Sequence, residues 1–274
     1  MRSSGPTLLA LPAFRGFTRK IILLAIASFL FFLITGFAAP RLGETVFSLL
    51  ALQPALALKF IWQFVAWPFV PGGLLNLLFA LLFLWFTGAA LEDERGTRWF
   101  TELFFTSSIG GAVLATILSL LLGHVIPFIN VGVSVGLWPT SLALLLVYAR
   151  IHADEPMTAY FIIRARAKYI AAGFLLFYLV IDLYTRQHFD ALNTICNCLV
   201  AWFFMQMAPR GGLQHSVSEG WFGLRNRYYR AKRRRAAKKF QVYMRKQGKD
   251  VSIDSSGRYI GLDDDDPDDR RRMN

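Results

Sequence analysis

Long apolar runs separated by short charged stretches dominate the first 208 residues of the chain. The first run, Ile21 to Ala39, holds nineteen residues without a charge, which is long enough to cross the hydrocarbon core of a bilayer. Five more runs follow, and they occupy residues 74–91, 103–122, 132–149, 169–181 and 191–208. The pattern predicts an all-α polytopic membrane protein, built as a bundle of six transmembrane helices.

The first apolar run also has features of a secretory signal peptide, because basic residues precede it and small residues close it at Gly36 to Ala39. Two observations argue against cleavage. The run is longer than the apolar region of a signal peptide, which has about 7–15 residues, and several further spans follow it. We therefore expect an uncleaved first transmembrane helix.

The stretch from Pro40 to Pro71 is apolar but broken, so it is not counted as a span. The residues that interrupt it are Pro54, Lys59, Gln63 and Pro68. Its two tryptophans, Trp62 and Trp67, are typical of the boundary between lipid and water. We expect a long first loop that is helical, half-buried and located at the membrane interface.

The composition supports a membrane location and argues against a cofactor or metal site. Hydrophobic residues make up 55% of the chain and charged residues 18%, whereas soluble domains carry about 25% charge. Cys196 and Cys198 lie two residues apart inside an apolar run, where a helix points them to different faces. Neither a disulfide nor a metal pair is expected there, and no cofactor is predicted.

Positive charge is concentrated on one predicted side of the membrane, which indicates that both termini are cytoplasmic. The basic residues on that side are Arg15, Arg19, Lys20, Arg95, Arg98, Arg164, Arg166, Lys168 and those of the tail, against mainly Arg41, Lys59 and Arg186 opposite. The chain then divides into a cytoplasmic lead at 1–20, a membrane domain at 21–208 and a tail at 209–274. A bacterial inner (plasma) membrane is the predicted location.

The tail is strongly basic before it becomes acidic. Residues 225–246 hold eleven Lys or Arg and no acidic residue, and an acidic run at residues 263–269 follows. We expect the basic stretch to bind anionic lipid headgroups. Binding to nucleic acid or to the ribosome is the alternative, but no recognised RNA-binding motif is present, so no specific nucleic acid partner is expected.

One motif in the middle of the chain suggests a reactive serine. Gly132-Val133-Ser134-Val135-Gly136 fits the G-x-S-x-G pattern, in which glycines permit a sharp turn that exposes a nucleophilic hydroxyl. That pattern needs a strand before the serine and a helix after it, in a soluble α/β sheet. The flanking membrane spans exclude the soluble-hydrolase interpretation.

The stretch from Ile61 to Phe100 contains the most specific motif in the chain, with Gly88, Leu91, Glu92, Gly96, Thr97 and Arg98 followed by Trp99 and Phe100. This motif resembles the pattern of the rhomboid family of intramembrane serine proteases, in which G-x-x-L-E-x-x-x-G-(S/T) precedes a basic and an aromatic residue. Gly110-Gly111 and the basic approach at residues 159–168 extend the resemblance over about residues 15 to 210. It implies a six-helix bundle with a long interfacial first loop.

The resemblance implies catalytic positions that this chain does not fill. Ser134 stands at the nucleophile position of the family's G-x-S-G motif, although the following glycine is replaced by Val135. Asn76 and Ala80 stand where an H-x-x-x-N pair would hold the oxyanion. Ala191 stands where the catalytic histidine of the sixth helix is expected, and neighbouring registers offer only Leu192 or Asn193.

The remaining candidates offer a weak base and a structural interpretation. His188 lies three residues before Ala191 and would need a different helix start to reach Ser134. Without a base, a serine hydroxyl is a poor nucleophile, and Ser134 in a first helical turn can cap backbone amides instead. Asn193 and Asn197, four residues apart, are expected to face the interior of the bundle.

These observations predict a rhomboid-like pseudoprotease that binds transmembrane segments of client proteins without cleaving them. The alternative is an active intramembrane serine endopeptidase, with Ser134 as nucleophile and an unrecognised base. A transporter or channel is a weaker interpretation. Such a pathway needs ionisable residues inside the spans, whereas Glu102 and Asp182 lie near helix ends.

Overall fold

The computed structural model describes residues 14–153, 156–159 and 163–208, together with residues 225, 226, 228, 229, 232, 236, 240, 243, 246, 252, 253, 259 and 260 of the tail. The chain divides into two compact units, Met1–Leu213 and Gln214–Asn274. The first unit contains the apolar runs, and the second contains the basic and acidic stretches.

The first unit is built mainly from α-helices. They are α1 (Gly16–Ala38), α2 (Pro40–Leu50), α3 (Gln63–Ala66), α4 (Leu74–Phe83), α5 (Ala89–Arg95), α6 (Thr97–Leu122), α7 (Trp138–Ile151), α8 (Ala167–Tyr184) and α9 (His188–Met207). A π-helical turn at Leu84–Gly88 joins α4 to α5, and 3₁₀ turns occupy Trp67–Phe69 and Pro127–Asn130.

Four of the helical segments described are long and apolar enough to cross a membrane: Gly16–Ala38, Leu74–Arg95, Thr97–Leu122 and Ala167–Tyr184. The prediction of an α-helical membrane protein is confirmed by them. The six predicted spans are supported in part, because α7 is shorter and α9 carries buried polar residues. That α7 and α9 also cross the membrane stays a prediction.

Helix α7 lies at the centre of the bundle, which explains its length. Ten of its fourteen residues are buried, and its neighbours include α4, α6, α8 and α9. A fourteen-residue helix rises about 21 Å, less than the roughly 30 Å of a hydrocarbon core. Neighbouring helices cover most of α7, so most of its length does not have to face lipid.

The connection between α7 and α8 contains a β-hairpin that the sequence pattern did not predict. Strands β1 (Pro156–Ala159) and β2 (Ile163–Arg166) pair antiparallel, with Met157 opposite Ala165. The spacing of apolar residues did not predict these strands, because each has only four residues and lies in a polar connection. The prediction of an all-α chain was incomplete at this point.

The first loop is helical in part, as expected, but its two tryptophans occupy different environments. Trp62 is half-exposed and donates from Nε1 to the Leu49 carbonyl at 2.9 Å. Trp67 is fully buried and belongs to a hydrophobic cluster with Leu52 and Ala112. The prediction that both lie at the lipid boundary was wrong for Trp67, because its ring packs against α6 inside the protein.

Glu92 joins the start of α1 to α5. Its Oε1 accepts from the Phe17 amide at 2.7 Å, and its Oε2 accepts from the Thr18 amide at 2.9 Å and the Thr18 hydroxyl at 2.7 Å. A carboxylate at a helix N-terminus satisfies amides that lack intrahelical partners and complements the helix dipole. Gly16 has a φ of +71°, and a Cβ there would overlap this carboxylate.

Other contacts gather at the same end of the bundle. Arg15 forms an ion pair with Asp93 at 3.0 Å, and His152 after α7 lies 3.4 Å from the carboxylate of Glu94. The indole of Trp99 donates to the carbonyl of Ala208, after α9, at 2.8 Å. The starts of α1 and α6 therefore lie near the ends of α5, α7 and α9.

In the second unit, each described residue between positions 225 and 246 is helical and exposed. Strands β3 (Ser252–Ile253) and β4 (Tyr259–Ile260) pair antiparallel, with Ser252 opposite Ile260. The acidic run predicted at residues 263–269 lies outside the described residues.

We expect Glu92→Ala to lower the free energy of unfolding by about 2 kcal/mol or more, because it leaves buried amide donors at the start of α1 without an acceptor. Asp93→Ala is the matched control. It removes an exposed ion pair and should cost less than about 1 kcal/mol. Thermal unfolding in detergent measures both variants, and equal stability of the two would contradict this role of Glu92.

Candidate functional site

The serine segment, defined as Gly132 to Leu137, runs extended in front of α7 and pairs with the first loop. The Ser134 amide donates to the Leu52 carbonyl at 3.0 Å, and the Leu52 amide donates to the Ser134 carbonyl at 3.1 Å. The Gly136 amide donates to the carbonyl of Trp67 at 3.0 Å. Backbone hydrogen bonds thus fix the position of the serine against the loop.

Two glycines make this path possible. Gly132 has a φ of +104° and Gly136 a φ of +88°, a region that residues with a Cβ rarely adopt. A Cβ at Gly132 would also overlap the side chain of Gln187. The segment is therefore not helical, and the prediction of a helical run from residue 132 was wrong. Ser134 lies outside the first turn of α7, so it does not cap that helix.

The Ser134 side chain is fully buried and bonded on two sides. Its hydroxyl donates to Asp190 Oδ1 at 2.5 Å and accepts from Asn193 Nδ2 at 2.7 Å. The second oxygen of Asp190 accepts from the Tyr178 hydroxyl at 2.7 Å. A carboxylate that has left water needs such donors, and Ser134 and Tyr178 supply them.

The same network continues along α9 to α7. Asn197 Nδ2 donates to Asn193 Oδ1 at 3.0 Å, and the Thr140 hydroxyl lies 3.5 Å from Asn197 Oδ1. Both asparagines are fully buried, so the prediction that they face the bundle interior is confirmed. The network holds the serine segment, α7, α8 and α9 together.

The predicted histidine position and the weak alternative base lie beside this network. Ala191 is buried in the first turn of α9, directly after Asp190 and two residues before Asn193. His188 is the first residue of α9, and its ring packs edge-on against Phe128 at 5.3 Å. Within the described part of the chain, Ser134 makes no hydrogen bond to a histidine.

The two predicted oxyanion positions lie on α4. Asn76 packs against the serine segment, because a Cβ at Gly136 would lie 3.2 Å from Asn76 Oδ1. Ala80 is fully buried, and its carbonyl accepts from the Ser141 hydroxyl at 3.2 Å. The structure therefore brings Asn76 close to the serine segment, whereas Ala80 contributes a backbone contact to α7.

Three buried polar atoms surround Tyr178 and lack a hydrogen-bond partner among the described residues: Asn76 Oδ1, Trp138 Nε1 and Asp182 Oδ2. The Asn76 side chain hydrogen-bonds Tyr178, Asp182 lies four residues after Tyr178 on α8, and the Trp138 ring lies 5.7 Å from the Tyr178 ring. These atoms come from α4, α7 and α8. Buried polar atoms in proteins nearly always have a hydrogen-bond partner, so three unpaired atoms together indicate a candidate binding site.

Asp190 and Tyr178 are the functional candidates that sequence reasoning missed. The sixth predicted run begins at Ala191, whereas α9 begins at His188 and buries Asp190. A signal was present in the sequence, since Asp190, Asn193 and Asn197 recur at helical spacing and form one polar face.

The geometry of the site limits its chemistry. The Asp190 carboxylate can accept the proton of Ser134, but the Ser134 amide, which could stabilise an oxyanion, already donates to Leu52. The described residues hold no group of three His, Cys, Asp or Glu side chains that could bind a metal ion. The arrangement therefore links the serine segment to the first loop and to α9 through the backbone and the side chain of Ser134.

We expect Ser134→Ala to lower the free energy of unfolding by about 1–3 kcal/mol, because Asp190 and Asn193 each lose a buried partner. Ser107→Ala is the control. Ser107 is equally buried but bonds only the Phe104 carbonyl of its own helix, so the change should be small. Thermal unfolding in detergent compares the two variants, and an undiminished stability of Ser134→Ala would remove the structural role.

Residues 21–222 match the family described as "Eukaryotic integral membrane protein (DUF1751)", which covers more than half of the chain. No curated protein matches the chain. The family description and the four apolar helices agree that the protein is integral to a membrane.

This match corrects two predictions. The assignment to the rhomboid proteases was wrong, because the matching family is a different one, and the motif around Glu92 is explained by the contacts of α1 and α5. The bacterial inner membrane was also wrong, since the family is eukaryotic. The chain belongs to the DUF1751 family of eukaryotic integral membrane proteins.

Proposed function

We propose that this protein binds transmembrane segments of other membrane proteins without cleaving them, at the interface between α4 and α8. The observation that carries the proposal is the group of three unpaired polar atoms around Tyr178. A buried polar atom without a partner costs about 1–3 kcal/mol. A polar side chain from a bound transmembrane segment can satisfy these atoms and recover that free energy.

The two helices that border this interface offer apolar surface to a bound segment. On α4, Leu74, Leu75, Leu78 and Phe79 are exposed, and on α8 the exposed residues are Leu176, Phe177, Val180, Ile181 and Leu183. Lipid chains are as apolar as these side chains, so the surface alone does not select a protein partner. Selection is expected from the polar atoms beneath it, because lipid tails cannot hydrogen-bond them.

The contact between α4 and α8 is narrow enough to open. Phe83 and Phe174 meet at a ring distance of 4.7 Å, and the Asn76 side chain reaches Tyr178 nearer the other end. Trp138 of α7 lies behind them and packs against Phe83 at 5.2 Å. A segment that enters between α4 and α8 would meet the Trp138 indole and the Asn76 amide first.

Non-catalytic binding is supported by the bonding of Ser134. Its hydroxyl is engaged by Asp190 and Asn193, and its amide by Leu52, so each group that acylation requires already has a partner. Full burial of the side chain also keeps water away from it. These features favour a structural serine.

We expect an oligoleucine transmembrane peptide with one central asparagine to bind the purified protein more tightly than the all-leucine peptide. Asn76→Leu should weaken binding of the asparagine peptide by about threefold to tenfold, the worth of one interhelical hydrogen bond in a membrane. Binding of the all-leucine peptide should not change. Fluorescence energy transfer between labelled protein and labelled peptide in liposomes measures both affinities.

Gln206→Leu is the matched control for this experiment. Gln206 is an exposed amide near the far end of α9, remote in sequence from the polar atoms around Tyr178. Its loss should leave both affinities unchanged. Equal binding of the two peptides to the unsubstituted protein would refute the proposal, as would an equal effect of Asn76→Leu and Gln206→Leu.

A serine hydrolase remains a second candidate because of one observation, the 2.5 Å contact from the Ser134 hydroxyl to Asp190. A carboxylate can act as a general base when it lies within hydrogen-bond reach of the nucleophile. Access of a substrate would require the serine segment to release the Ser134 amide from Leu52.

The non-catalytic proposal predicts no labelling of Ser134 by a fluorophosphonate probe in the detergent-solubilised protein. Mass spectrometry of the probe-treated protein locates any labelled residue. Labelling that persists in Ser28→Ala but is lost in both Ser134→Ala and Asp190→Asn would establish the hydrolase instead.

A further inference from the structure

The tail contains helical residues that carry exposed aromatic side chains. Its nine described residues between positions 225 and 246 are all helical and exposed, and they include the aromatic residues Tyr228, Tyr229, Phe240 and Tyr243. Exposed aromatic side chains that lie together form an apolar patch, and such patches mark interaction surfaces. Their exposure on a helix calls for an apolar environment outside the protein unit.

Three of these aromatic residues share one face with an alanine. Tyr229, Ala236, Phe240 and Tyr243 are separated by seven, four and three residues, which places them on one side of an α-helix at 100° per residue. Tyr228 is the neighbour of Tyr229 in the sequence, so it lies about 100° away around the helix axis. We name the four residues the aromatic stripe.

The charge around the aromatic stripe indicates which apolar environment covers it. Residues 225–246 carry eleven Lys or Arg and no acid, so a neutral protein groove or a basic partner is a poor match. A helix with one aromatic face and a strongly basic composition is typical of helices that lie in the plane of a membrane surface. Lysine at position 232, on the edge of the stripe, can extend its ammonium to the headgroups.

We propose that residues 225–246 lie on an anionic bilayer surface, with Tyr229, Ala236, Phe240 and Tyr243 inserted below the headgroups and the basic side chains bound to anionic lipid. Tyrosine suits this depth because its ring is apolar and its hydroxyl remains in the polar layer. The proposal is independent of client binding in the membrane unit.

The test uses the full chain in lipid nanodiscs, with a nitroxide attached at Ala236→Cys or at Lys246→Cys. Cys196 and Cys198 are buried, so the unsubstituted protein serves as the labelling blank. Nanodiscs of phosphatidylcholine alone are compared with nanodiscs in which about a third of the lipid is phosphatidylserine. Collisions with oxygen and with a water-soluble nickel chelate report the depth of each label.

With phosphatidylserine present, the label at position 236 should become shielded from nickel while it stays accessible to oxygen, and the label at position 246 should remain accessible to nickel. Lys232→Gln should lower the ratio of shielded to free label about fivefold, the effect of one basic residue at an anionic surface. Raising the salt concentration to 1 M, where the Debye length is about 3 Å, should release the helix from the bilayer and make the label at position 236 accessible to nickel.

Two variants separate the aromatic stripe from charge alone. Replacing Tyr229, Phe240 and Tyr243 by serine should expose the label at position 236, whereas Tyr228→Ser, outside the stripe, should not. A label at 236 that stays accessible to nickel on phosphatidylserine overturns the proposal. So does a label that single-stranded RNA immobilises while lipid composition has no effect, because the basic stretch would then bind nucleic acid.

Discussion

A buried carboxylate organises the interior of this protein. Asp190 is buried inside the protein, so its two oxygens must find donors there. Ser134 supplies one from the serine segment, and Tyr178 supplies the other from α8. Because these donors come from different parts of the chain, satisfying one buried carboxyl group fixes the relative positions of three elements.

The same requirement explains why the serine segment is so tightly held. The amide and the carbonyl of Ser134 both bond Leu52 of the first loop, and its hydroxyl bonds Asp190 and Asn193 of α9. A catalytic serine needs a hydroxyl that can reach the substrate and nearby donors that are free to stabilise an oxyanion. A serine that joins two elements has its hydroxyl and its amide bonded within the protein. In this structure the amide, the carbonyl and the hydroxyl of Ser134 each have a bonding partner.

Apolar periodicity was sufficient to predict most of the membrane unit, because each long run must become a helix when its backbone has no water to bond. It failed where local geometry decided the outcome. Gly132 and Gly136 keep the serine segment extended, although its composition continues the apolar run into α7. The apolar run at residues 191–208 does not include the start of α9, because Asp190 is polar and the Ser134 and Tyr178 side chains that bond it lie elsewhere in the sequence.

Helix α1 is attached to the bundle unevenly, and this bears on how the protein is made. Its buried residues are Thr18, Ile21, Ile22 and Ala25, all in the first half, while the second half exposes Ile34 and Phe37. The carboxylate that anchors its start, Glu92, is synthesised 75 residues after Phe17. The whole of α1 is therefore synthesised before this carboxylate, so the Phe17 and Thr18 amides gain their acceptor only once α5 has been made.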